Sequence, residues 1–259
     1  MKKLFTIALA VAAFVSFNAC TSEDGYLDKN KGYIKLGVTI DDAIATRATQ
    51  NANVAEWYAV VTNGDGDPVF GTVAAKALIG TTLGTTPLAA GSYNVAVSNF
   101  ADDDDWLTAN DGFGAAYYEG NASNQAVTAG NTTNVAIECG MAKNAKFSIA
   151  SAGFSGTALT VNVSAPRTLT FDKANSTIDN DAFFAASAEL TYTITYTING
   201  ITKTSAAKTF TLGGAGSASV LTIASNSNGT ISVTITYDDE YTTGETSTIT
   251  IDAATGNEV

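Results

Sequence analysis

The stretch from Glu189 to Ile198, ELTYTITYTI, constrains the fold more than any other: Leu190, Tyr192, Ile194, Tyr196 and Ile198 alternate with four threonines without a break. A period of two places all five apolar side chains on one face of an extended strand and the hydroxyls on the other, a pattern no helix can bury on one side. Asn199-Gly200 follows as a hairpin turn. A strict two-residue loop sets Lys203 opposite Tyr196. One extra loop residue sets Thr204 there and aligns Phe210 and Leu212 with the apolar face, and the longer loop is the expectation because it keeps the apolar set together.

The same period recurs along the chain. GYIKLGVTI turns Ile34, Leu36, Val38 and Ile40 one way, GSYNVAVS does so with Tyr93, Val95 and Val97, and TTNVAIEC with Val135, Ile137 and Cys139. EWYAVVT is apolar on both sides, which suits a central strand. TISVTIT and STITI form a closing pair, with Ile231, Val233 and Ile235 matching Ile249 and Ile251. Prolines number three, and no window carries a helical period. The expectation is an all-β chain of two tandem antiparallel β-sandwich domains, residues 32–140 and 141–259, divided near Gly140. Residues 20–31, polar and short of apolar anchors, read as a tether.

Residues 1–19 carry a cationic start at Lys2 and Lys3, an apolar run and a small residue, Ala19, the layout of a secretory signal. The run is shorter than the roughly 20 residues a spanning helix needs. Cys20 directly behind it resembles the lipobox of bacterial lipoproteins, in which that cysteine is acylated and becomes the first mature residue. Phe17 and Asn18 depart from the commonest form of that motif. The other reading is an ordinary secreted chain with a free Cys20. If Cys20 bears lipid, Cys139 has no partner and reads as a buried structural thiol.

The chain has no histidine, which excludes Ser-His-Asp and Cys-His catalysis and histidine-containing zinc sites; two cysteines cannot build an all-cysteine zinc site. The formal charge of −12 becomes −14 when Lys2 and Lys3 leave with the signal. Such a surface repels nucleic acid and anionic lipid, so membrane attachment falls to the anchor.

Three segments have the residues of a site. NGDGDP, Asn63 to Pro68, opens like a calcium loop, but Pro68 and Ala74 stand where glycine and a carboxylate belong, so a hairpin turn is the better account. Asp102, Asp103, Asp104 and Asp105 form the densest charge in the chain and are weak metal candidates; a solvated loop is the plainer reading. Trp106, Tyr117 and Tyr118 could form a platform for sugar stacking, or plug the end of a sandwich. No catalytic constellation and no cofactor motif emerges.

LAAGSYNVAVS, AYYEG and AVTAGNTTNVAIECGMAKNAKFSI together resemble a family of Bacteroidetes outer-membrane lipoproteins of unknown function, akin to fimbrillin-like and putative cell-adhesion proteins. The resemblance covers residues 32 to 160. It implies a lipid-anchored protein of the outer membrane, and Glu23 and Asp24 just behind Cys20 fit export to its outer face. It also implies a processing step: fimbrillin precursors are cut after an arginine in the first-domain loop, which removes the anchor and first strand and opens a groove for a neighbour's strand. Arg47 in ATRATQ, with Ala48 behind it, occupies such a position; the alternative is an exposed loop arginine. The function expected is therefore non-enzymatic, adhesion or a pilus component, with other pilus subunits or host and glycan ligands as partners. A carbohydrate-binding surface lipoprotein is the second reading.

Overall fold

The structure, a computed structural model, describes residues 30–42, 48–72, 76–80, 83–226, 231–238 and 247–251. The expected Cys20 lipidation site and Arg47 lie outside these. The first strands are β1 (Lys31–Asp42), β2 (Ala48–Asn51), β3 (Tyr58–Asn63), β4 (Pro68–Phe70), β5 (Ala77–Leu78), β6 (Leu88–Ala89), β7 (Gly91–Ser98), β8 (Glu119–Val127) and β9 (Thr132–Cys139). They are followed by β10 (Asn144–Ala150), β11 (Ala158–Ala165), β12 (Leu169–Asp172), β13 (Ala182–Ala185), β14 (Glu189–Ile198), β15 (Ile201–Thr204), β16 (Lys208–Thr211), β17 (Ala218–Ser225), β18 (Ile231–Asp238) and β19 (Ser247–Ile251). Helical structure among the described residues is confined to three-residue 3-10 turns.

The chain is all-β, and its sheets enclose two hydrophobic cores. The first lies between a sheet in which β1 carries β2, β6 and β9, and a second ordered β4-β3-β7-β8 with β5 also on β3. Ile34, Val61, Val95, Ile137 and Cys139 meet inside it. The second core lies between β13-β10-β17-β18-β19 and β12-β11-β14-β15, with β16 also on β14. Phe147 sits at its centre, in edge contact with Phe171 and Phe184 and tilted against Phe210.

The alternation in the sequence matches the burial observed. Leu190, Tyr192, Ile194 and Tyr196 are buried and Thr191, Thr193, Thr195 and Thr197 face outward. Two features differ from expectation. The β14–β15 hairpin has the strict two-residue loop, with Ile198 opposite Ile201 and Tyr196 opposite Lys203, not Thr204. The extra residue needed to bring Phe210 opposite Leu190 is inserted further along, between β15 and β16. Ser205 sits at that bulge: its backbone N–H donates to Ile194 O at 2.8 Å and its Oγ accepts from Ile194 N at 3.0 Å. A bulge shifts the register by one and restores the apolar face as a longer turn would, so the pattern alone could not place it.

The second difference is direction. Most pairs are antiparallel, but β1 runs parallel to β9 over eight residue pairs, Tyr33 with Thr132 through Ile40 with Cys139. β10 runs parallel to β17, Lys146 with Ala218 through Ala150 with Thr222. A period of two is the same in either direction, so strand polarity is invisible to it.

Candidate functional site: the hub strand and the acidic aromatic loop

Strand β1 holds its sheet together. Ile34 and Val38 are buried in the first core, with Leu36 and Ile40 half-buried against it. β9 pairs with one edge of β1, while β6 at Lys31–Gly32 and β2 at Thr39–Asp42 take the other. None of these three strands has another ladder partner among the described residues. In sequence Arg47 falls between β1 and β2, outside the described residues, and Ala48, the residue behind it, opens β2 opposite Asp42.

The second candidate is the long β7–β8 loop of the first core, residues 99–118, which reaches the second core through Phe113 and Asn144. Trp106, Tyr117 and Tyr118 are each only 7% exposed. That burial favours the interior plug over the sugar-stacking platform, the two readings the sequence left open. The cause is backbone pairing that sequence spacing did not reveal. Residues 115–118 form an extended ribbon clamped on both edges by asparagine amides. On one edge Asn144 Nδ2 donates to Ala115 O at 2.7 Å and its Oδ1 accepts from Tyr117 N at 3.1 Å. On the other Asn99 Nδ2 donates to Ala116 O at 2.7 Å and its Oδ1 accepts from Tyr118 N at 2.8 Å. Each amide offers the donor and acceptor that a neighbouring strand would, so the ribbon's polar groups are satisfied although buried. Tyr118 then packs into the first core and Phe113 into the second.

The aspartate run lies at the surface of this loop. Asp103 accepts from Lys76 Nζ at 2.5 Å and from Tyr117 Oη at 2.8 Å. The lysine hydrogen bond, then the tyrosine one, hold its carboxyl below the ordinary carboxylate value. Tyr117 Oη also lies 3.2 Å from Glu119 Oε2, and Glu119 pairs with Lys143 at 3.1 Å. Burial and the two carboxylates push the phenol pKa up, so Tyr117 acts as a donor throughout the physiological range. Asp105 Oδ2 accepts from Asp102 N at 3.2 Å, a local turn contact. The run is thus a braced loop, and no group of three histidine, cysteine or acidic side chains converges among the described residues. At Asn63–Pro68, Asn63 Oδ1 accepts from the N–H of Asp65 at 3.0 Å and of Asp67 at 2.8 Å, which makes the segment the β3–β4 hairpin turn.

The sequence profile of a family described as a domain of unknown function, DUF4493, matches residues 30–253. The chain belongs to this family. The DUF4493 match begins one residue before β1 and ends two after β19, so a single span covers both cores and passes Gly140 without a break. No curated protein matches. Among solved structures, the fimbrial anchor protein Mfa2 from Porphyromonas gingivalis is similar over 80% of this chain and 97% of that one, at 10% identity and a TM-score of 0.38.

Cys139 belongs to neither candidate site. It is fully buried, and its thiol is pushed up to about 11, mainly by burial and then by the charge of Glu119, with Lys143 opposing. The folded state therefore favours the neutral thiol. Below the ordinary thiol value both states are protonated and nothing is lost; above it only the unfolded chain ionises. Stability is expected to fall from about pH 9 to about 11, and the Cys139→Ala protein, followed by urea titration across that range, should lack this component of the decline.

Proposed function

We propose that this DUF4493 protein is a surface-exposed lipoprotein of fimbrillin type, held at the outer membrane by an acylated Cys20 and acting in adhesion or pilus assembly without catalysis. The domain limits proposed with it are 32–140 and 141–259 behind a 20–31 tether. The observation that supports the assembly reading most is the position of Arg47. A cut there would separate from the rest of the chain β1, on which β2, β6 and β9 all depend among the described residues. The remaining first core would then need a replacement strand running parallel to β9, with apolar residues at the positions of Ile34, Leu36, Val38 and Ile40. Other subunits of the same assembly are the partners this implies. The carbohydrate-binding alternative has no observation in its favour, because its three rings are buried.

Mass spectrometry of the protein isolated from its own cells tests the reading. A chain beginning at acylated Cys20 is the expected membrane form, and a second species beginning at Ala48 identifies a processed subunit. Acylated chain alone, under conditions where pili are assembled, would sink the processing step. An unmodified Cys20 would sink the anchor.

A further inference from the structure

We propose that Arg167 is a latch that locks the two cores into one body, so that they neither hinge nor unfold separately. Arg167 lies in the second core's sheet connection between β11 and β12, yet most of its hydrogen bonds are made to the β7–β8 loop of the first. Nη1 donates to Leu107 O at 2.6 Å and to Gly112 O; Nη2 donates to Phe113 O at 2.8 Å and to Phe183 O at 2.5 Å. The guanidinium carbon stands 4.9 Å from the centre of the Phe184 ring. The fork therefore joins three carbonyls of residues 107–113 to strand β13 of the second core.

The geometry requires arginine. A planar cation with donors in fixed directions can hold four carbonyls at once, whereas an ammonium presents a single point. Phe113 is buried in the second core and its carbonyl also accepts from Phe183 N at 2.8 Å, while the carbonyls of the half-buried Leu107 and Gly112 are partnered by the fork. Gly114 leaves room for it: a Cβ there would stand 3.1 Å from Arg167 Nη2 and 3.1 Å from Trp106 O, at a φ of 84° that other residues rarely adopt. The chain passes between the cores at residues 140–143, and Asn144 directly behind that link pairs with Ala115 and Tyr117 of the loop, but a junction at one place can still twist. Contacts to Leu107, Gly112, Phe113 and Phe183 remove that freedom.

Differential scanning calorimetry and small-angle scattering of the full chain test the latch with Arg167→Lys and Gly114→Ala, which perturb the fork from opposite sides. The wild type is expected to show one unfolding transition. Each variant should show two, with an increased radius of gyration and wild-type far-ultraviolet circular dichroism at low temperature. Two transitions in the wild type would overturn the proposal. So would a single transition in both variants, whether unshifted or moved as a whole.

Discussion

Replacing Ile34 with aspartate is expected to leave the chain largely unfolded at 37 °C. Ile34 is fully buried at the middle of the first core, on the strand that carries every other strand of its sheet. The substitution removes a buried aliphatic side chain, and it puts a carboxylate where neither water nor a cation is available; each effect is separately large. A loss of more than about 4 kcal/mol places it among the most damaging single changes, against a total stability of about 5–15 kcal/mol for a protein domain. Lys35→Asp, one residue on and facing solvent, should cost less than about 1 kcal/mol. Urea denaturation of the two variants separates a hub strand from a dispensable first strand: near-equal midpoints would show that β1 does not carry the sheet. The same measurement bears on processing, since a chain that tolerates Ile34→Asp would also tolerate loss of β1 without a replacement strand.

What the sequence revealed and what it hid divide along a physical line. Alternation is a local property, so Ile34 to Ile40, Tyr93 to Val97, Val135 to Cys139 and Leu190 to Tyr196 were readable as core-facing positions from their neighbours alone. The Asn199-Gly200 turn was readable for the same reason, although the bulge at Ser205 was assigned to the turn itself. Contacts made over long separations were not readable. Asn144 reaches Tyr117 across 27 positions and Arg167 reaches Leu107 across 60. In each case a polar side chain substitutes for a missing strand or closes on backbone carbonyls, and nothing in its own neighbourhood announces that. The choice left open over Trp106, Tyr117 and Tyr118 has this origin. Aromatics beside four aspartates look like a surface, and only the two asparagine amides that pair the backbone of residues 115–118 show why they are interior.

Phe147→Ala is the second large effect expected, about 3–5 kcal/mol, because truncating a buried aromatic loses its transfer energy and leaves a cavity. Phe147 is fully buried and touches Phe171, Phe184 and Phe210, so three rings must move together for that space to close. Edge-to-face geometry adds a further loss that area alone does not count. The consequence for the whole chain depends on Arg167. With the latch in place, Phe147→Ala lowers the single transition, and the first core melts along with the second although none of its residues has changed. In the Arg167→Lys background the same truncation should lower only the second core's transition and leave the first where it stands. The two substitutions are therefore expected to be non-additive in the stability of the first core and nearly additive in that of the second. Thermal unfolding of the four proteins in that cycle, read by the fluorescence of Trp57 in the first core and by hydrogen exchange of the β14 amides in the second, distinguishes a coupled pair of sandwiches from two that merely share a linker.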